Sequence, residues 1–178
     1  MIVLTGFGPF GPPESVAHES NPSELLATEA GRALGAHVEI LPVSYSAVAN
    51  VGRLLADADL VLSIGVAGSR RAPMLEKQAT NWRESSIADI DGHIARGEPI
   101  DPDGPDSVTT GWDVGAVAEA AGIGVSLSAG AYVCNALSYS LYRHQRNSCF
   151  LHIPPAEHLG LGQGVDLIGR IIECSMSV

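Results

Sequence analysis

Gly124-Val125-Ser126-Leu127-Ser128 is a strand-like run, and beyond Gly130-Ala131-Tyr132 the apolar residues Val133, Leu137 and Leu141 recur at helical spacing. Cys134 therefore falls where a strand is leaving and a helix is beginning. The first N–H groups of a helix have no partner inside it, and the helix dipole puts partial positive charge there. Both effects favour thiolate over thiol, and the thiolate is the nucleophile. If the protein is an enzyme, the rest of the chain is expected to be arranged around Cys134.

The same alternation extends in both directions. Ile2 to Thr5 reads as a buried strand, followed by a Gly/Pro loop to Pro22. Ser23 to Leu34 is helical, with Asn21 as N-cap, Pro22 at the first helical position and Gly35 as the stop. His37 to Val43 is a strand, Ser46 to Ala56 a helix capped by Ser44 or Ser46, and Leu60 to Ile64 an apolar strand ending in Gly65-Val66-Ala67-Gly68. Met74 to Trp82 suits a strand or a short helix. Asp89 to Val108, with Pro99, Pro102 and Pro105 and six acids against one arginine, reads as a solvated, mobile loop without the residue ladder of a calcium site. Trp112 to Ala121 is helical, Cys149 to Ile153 a strand, and Val165 to Cys174 a terminal helix.

Apolar strands alternating with helices predict an α/β fold, one three-layer α/β/α domain over residues 1–178 with a mostly parallel twisted central sheet. Such sheets bind ligands at the C-terminal ends of their strands. Four features fall there: the loop after Thr5, the glycine turn after Ile64, Cys134, and His152.

Composition narrows the function classes. The chain has 178 residues, 46% of them hydrophobic, and a net charge of −10. With Arg70-Arg71 as the only adjacent basic pair, nucleic acid is not expected as a partner. No apolar run reaches the roughly 18 residues of a membrane span, and Met1-Ile2-Val3-Leu4-Thr5 enters a strand directly, so a cytoplasmic protein is expected. Cys134, Cys149 and Cys174 have neither the number nor the spacing of a disulfide framework or a zinc site, and no metal or cofactor is expected.

Gly6-Phe7-Gly8-Pro9-Phe10-Gly11 matches the dinucleotide pattern, but Pro12-Pro13 replaces the helix that must open at once, and the second strand ends without an acid for a ribose. Phe7 and Phe10 either cap the core or line an apolar slot for a small flat ligand. Cys134 taken alone suits a small buried hydrophobe. A histidine at a neighbouring strand end, His152, supplies the usual base for a cysteine nucleophile. A third group should hold the other ring nitrogen. Glu76 is the best placed by position, with Glu84, Glu157 and several loop acids also available. His144, some 15 Å along the helix from the thiol, suits the helix C-terminus, and His158 lies in a loop.

Taken in order, Thr5-Gly6-Phe7-Gly8-Pro9-Phe10-Gly11, Asn21-Pro22-Ser23, Gly65-Val66-Ala67-Gly68-Ser69-Arg70, Tyr132-Val133-Cys134-Asn135 and His152-Ile153-Pro154 resemble the motifs of pyroglutamyl peptidase I, the pyrrolidone-carboxylate peptidase family of cysteine peptidases. The resemblance spans roughly residues 2 to 155. It implies a cytosolic, metal-free peptidase, often a homotetramer, that removes N-terminal pyroglutamyl (5-oxoprolyl) residues from peptides. Its Glu-Cys-His triad falls on Glu76, Cys134 and His152, with Asn81 matching the asparagine after the glutamate. Its ring pocket involves Phe7, Phe10, Tyr132, Val133 and Ile87. Two positions depart from the pattern. Val66 stands where the family's glycine turn usually has glutamine, beside Ser69 in place of a glycine, and Ser86 stands where an arginine follows the glutamate. Arg83, three residues earlier, is the nearest replacement and would project differently. These departures leave room for an amide hydrolase of altered N-terminal or lactam specificity, and for a catalytically silent small-ligand or peptide-binding relative.

Overall fold

The computed structural model describes residues 1–11 and 20–177. In chain order its first half contains β1 (Ile2–Phe7), α1 (Pro22–Leu34), β2 (His37–Leu41), α2 (Tyr45–Val48), α3 (Val51–Leu54), β3 (Leu60–Val66), β4 (Met74–Glu76) and β5 (Gln78–Thr80). There follow β6 (Arg83–Glu84), β7 (Arg96–Glu98), β8 (Ser107–Thr109), α4 (Val114–Ala121), β9 (Gly124–Ser126), α5 (Val133–His144), β10 (Ser148–Ile153) and α6 (Leu161–Ser177). The central sheet has the order β2-β1-β3-β10-β4-β9. Every pairing in it is parallel except β10 with β4.

The apolar runs dictate this order. β1, β3 and β10 are buried almost throughout and occupy the middle, as strands covered on both faces must. Leu26 of α1, Val117 of α4 and Ile168 of α6 pack with Leu4, Leu62 and Leu151 on one face. Val48, Val51 and Leu137 pack with Val3, Val61 and Phe150 on the other. The three-layer expectation holds. α1 is also as read: Asn21 Oδ1 accepts from Ser23 N, and Gly35 ends the helix at φ 67°.

Two expectations do not hold. The helix expected over Ser46–Ala56 is two short ones, α2 and α3, with Ser44 as the cap. Ser140 of α5 causes the break. Its hydroxyl donates to the Ala49 carbonyl and accepts from Gly52 N, taking over backbone groups a continuous helix would pair internally. A Cβ at Gly52 would overlap the Ser140 carbonyl, so only glycine admits this approach. Ser140→Ala leaves the buried Gly52 N–H unpaired and removes the donor to the Ala49 carbonyl, and a loss of about 1–3 kcal/mol is expected, read by chemical denaturation.

The stretch Asp89 to Val108 is not a mobile solvated loop. It contributes β7 and β8, and Asp89 is buried with its carboxylate accepting from the backbone N–H groups of Tyr45, Asp91 and His93. Burial alone would raise the Asp89 carboxyl, but these donors hold it below its ordinary value. The Met74 to Trp82 segment is extended, forming β4 and β5. The Gly/Pro loop, including Pro12 and Pro13, falls largely on residues outside those described. Among the described residues, no helix is long and apolar enough to cross a membrane.

Candidate active site

Gly130, at φ 84°, turns the chain from β9 into α5, and Cys134 is the second residue of that helix. Tyr132, the N-cap, makes no side-chain capping bond; its carbonyl accepts from Asn135 N and Ala136 N, and no side chain caps the N–H groups of Val133 and Cys134. Asn135 anchors the turn. Its Oδ1 accepts from Thr80 N at 3.0 Å, and its Nδ2 donates to the carbonyls of Thr80 and Trp82 at 2.9 and 2.8 Å. The segment after Glu76 is thereby tied to the cysteine helix, a role not evident from the motif in which Asn135 stands.

His152 and Glu76 meet through strand register. Glu76 pairs with Phe150 across the antiparallel β4–β10 ladder, so its side chain leaves the sheet on the face that Phe150 and His152 share. Glu76 Oε1 lies 2.7 Å from His152 Nδ1, in a site where Glu76 is 0% and His152 5% exposed. Because a carboxylate only accepts, Nδ1 carries the proton and Nε2 is left as the basic nitrogen. On the other side of β10, His152 is in register with Gly65 of β3. A Cβ on Gly65 would lie 3.0 Å from Cys134 Sγ, so the thiol lies against the strand that neighbours His152. Among the described residues, no hydrogen bond joins the thiol to the ring.

The helix N-terminus does not settle the thiol's protonation. Burial and the charge of Glu76 push Cys134 up to about 12, against the opposing pull of its own amide N–H and of Arg70. The expected bias toward thiolate is present but outweighed, so deprotonation needs a base at hand.

Arg70 is the group that sequence reasoning missed. Its Nη1 stands 2.7 Å from Glu76 Oε1, while Nη2 donates to Ser126 Oγ at 2.9 Å and the Ser128 carbonyl at 3.2 Å. Arg83, the sequence-based replacement for the missing arginine, is engaged elsewhere: it lies over the Tyr45 ring, 5.4 Å from its centroid, and pairs with Glu98 at 3.1 Å.

A cavity of about 530 Å³ opens over the thiol. Phe7, Phe10, Val66, Ile87, Tyr132 and Val133 all line it. Asn21 lines it too, and holds its wall: Nδ2 donates to the Gly8 carbonyl, and Oδ1 accepts from Ser23, whose hydroxyl receives Phe7 N. Phe7 is buried in the core and Phe10 packs against it, and both present a face to the cavity from this pinned turn. The Tyr132 hydroxyl donates to the Ala88 carbonyl at 2.9 Å, fixing the segment that carries Ile87. Glu157 is the charged residue at the cavity's rim, with His158 beside it. Among the described residues, no three His, Cys, Asp or Glu side chains are grouped to hold a metal ion.

Comparison with known proteins gives the chain a family. Residues 1–158 match the pyroglutamyl peptidase family. Pyrrolidone-carboxylate peptidase of Vibrio vulnificus is 39% identical over 170 residues, covering 86% of this chain and 77% of that protein. Pyroglutamyl-peptidase 1 of Homo sapiens is 31% identical over 182 residues, covering 96% and 85%. Among solved structures, pyroglutamyl peptidase I of Bacillus amyloliquefaciens superposes with a TM-score of 0.83 at 28% identity, covering 98% of this chain and 93% of the other. Pyrrolidone carboxyl peptidase of Thermus thermophilus gives 0.75 at 31% identity, with 99% and 98% covered. Sequence and fold agree over nearly the whole chain, which belongs to the pyroglutamyl peptidase family.

Proposed function

We propose that the protein is a cysteine peptidase that removes N-terminal pyroglutamyl residues from peptides, with Cys134 as nucleophile, His152 as base and Glu76 as the group that orients the imidazole. The observation that carries this is the buried His152 Nδ1–Glu76 Oε1 contact of 2.7 Å at the foot of a cavity floored by Cys134. Nε2 of His152 takes the thiol proton, and Sγ attacks the carbonyl that joins the lactam ring to the next residue. The opening N–H groups of α5 receive the oxyanion. The imidazolium, stabilised by Glu76, protonates the departing amine, and water then hydrolyses the thioester with His152 again as base. The apolar slot of Phe7, Phe10, Val66 and Val133 accepts a neutral ring and excludes an ordinary N-terminus, whose ammonium would be desolvated without a partner.

Val66 favours one second reading. An apolar side chain lines the pocket where the family's glutamine would offer a polar contact to the lactam, which suits an amide hydrolase accepting less polar rings. Both readings meet in one assay. Pyroglutamyl and cyclopentanecarbonyl fluorogenic amides are compared with a Cys134→Ala control. Faster release from the pyroglutamyl amide is expected; release no greater than the control overturns the main reading, and preference for the cyclopentane compound replaces it with the second. The proposal extends to a cytoplasmic location, supported by the free thiols of Cys134, Cys149 and Cys174, and to a homotetramer, supported by the family resemblance.

A further inference from the structure

Glu76 has no exposed surface, and the proposed triad offers it a single imidazole as partner. A buried carboxylate requires a matching charge. We infer that Arg70 is a positioning residue of this site: its guanidinium, tethered to the end of β9, holds Glu76 Oε1 on His152 and balances the carboxylate's charge so that Cys134 can become a thiolate. The inference rests on the triad reading above and adds a fourth member to it.

The geometry has three parts. The guanidinium contacts the same oxygen, Oε1, that meets His152 Nδ1, both at 2.7 Å. Oε2 and Arg70 Nη1 are both buried without a hydrogen-bond partner among the described residues, so the two charges meet at Oε1 as an ion pair rather than through an aligned hydrogen bond. The other arm of Arg70 is fixed to Ser126 and Ser128, and Ser126 is the register partner of Glu76. Arginine suits this because its planar fork spans two sites while remaining charged; a lysine carries the charge without the span.

The electrostatic consequence falls on the thiol. With Cys134 ionised and His152 protonated, the triad carries one net negative charge, as it does when both are neutral. Without Arg70, that charge stands uncompensated beside the sulfur. Arg70 lowers the Cys134 thiol against the opposing effects of burial and Glu76. The other ionisable groups around the site are the Cys149 thiol and Tyr142 phenol, both directed to the Glu76 backbone carbonyl, the phenols of Tyr45 and Tyr132 near Cys134, and Asp89, His93 and Arg83 packed against Tyr45. Thiols and phenols are neutral or anionic in any state, and the Arg83 guanidinium is held over Tyr45 and on Glu98, so none of these supplies the positive charge at Glu76.

The alkylation arm of the test reads the thiol directly and does not depend on the peptide substrate; the kcat arm does. Alkylation of Cys134 by iodoacetamide is followed against pH by mass spectrometry in the wild type, Arg70→Met, Arg70→Lys and Ser126→Ala. Arg70→Met is expected to slow alkylation at pH 7 about tenfold and to move the midpoint up by about one pH unit. Arg70→Lys restores the midpoint but still lowers kcat, because the charge returns without the tether. Ser126→Ala shifts the midpoint upward by less, and serves where Arg70→Met does not fold. An unchanged midpoint in Arg70→Met, or in Ser126→Ala where Arg70→Met is unfolded, overturns the inference. So does a lysine variant that behaves as the methionine one, since Arg70 would then be only a structural anchor. If alkylation responds as expected while no pyroglutamyl amide is cleaved, the substrate assignment fails and the role of Arg70 stands.

Discussion

Glu76→Gln is expected to lower kcat/KM for pyroglutamyl amides about 10³-fold while leaving KM nearly unchanged, because Glu76 does not line the ring pocket. Converting the orienting carboxylate of a Ser-His-Asp triad to an amide costs about 10⁴, chiefly through the wrong histidine tautomer. The loss here is smaller for a reason visible in the site. Arg70 Nη1 faces the same position as His152 Nδ1, so the amide oxygen rather than its NH₂ is drawn there, and Nε2 remains free to act as base. What disappears is the negative charge that stabilises the imidazolium after it takes the thiol proton. The substitution also leaves Arg70 beside a neutral partner, and a stability loss of about 2 kcal/mol is expected for a buried pair partly open to solvent. Pairing Glu76→Gln with Arg70→Met separates the two effects in a double-mutant cycle. Urea denaturation is expected to show most of the stability regained, while kinetics show no recovery of rate. A loss below tenfold in the single variant would remove Glu76 from the triad.

The layered sheet was legible because its signals are local and agree with one another. α1 has Asn21, Pro22 and Gly35 at the positions where cap, first turn and stop are needed, and β1, β3 and β10 are continuous apolar runs of strand length. The break between α2 and α3 was not legible, since it depends on Ser140, 88 residues away from Gly52 along the chain. The order in Asp89 to Val108 was hidden for a related reason. Its acids look like a solvated run until Asp89 meets three backbone donors, and until Asn81 fixes the far end by donating to the carbonyls of Asp101 and Gly104.

The site divides in the same way. Cys134 and His152 could be placed at strand ends from the alternation alone, whereas Glu76 needed the family resemblance to separate it from other acids. Arg70 carried a usable signal: it closes the glycine turn after β3, in the row of strand ends where the other site residues stand. It enters the sequence reading only as half of the single adjacent basic pair, weighed against a nucleic-acid partner, and as the last residue of the glycine-turn motif, with no role of its own. The net effect on the thiol was not legible because a helix N-terminus can be read from sequence, while burial beside a carboxylate three-dimensionally near but 58 residues earlier cannot.

Gly65→Ala is expected to lower kcat/KM by about 10²–10³ and to destabilise the fold by about 1–3 kcal/mol. A glycine in the buried centre of a sheet weakens its strand and marks a place where something must approach closely. Here two things do. The added Cβ would lie 2.7 Å from Phe150 Cζ and 3.0 Å from Cys134 Sγ. Phe150 is fully buried between α5 and the sheet and has no room to retreat, so the sulfur, at the open floor of the cavity, is the atom that yields. Displacing it from the strand beside His152 is the kind of misplacement near 1 Å that costs about 10² in rate. The two consequences separate in a second background. Phe150→Leu relieves the ring contact, so Gly65→Ala should destabilise that background less than the wild type, as read by denaturation. It does not return the sulfur to its place, so kcat/KM should stay low. Recovery of both together would mean that Gly65 matters only for packing, and retention of full activity in Gly65→Ala would mean that the thiol works from somewhere other than the strand that neighbours His152.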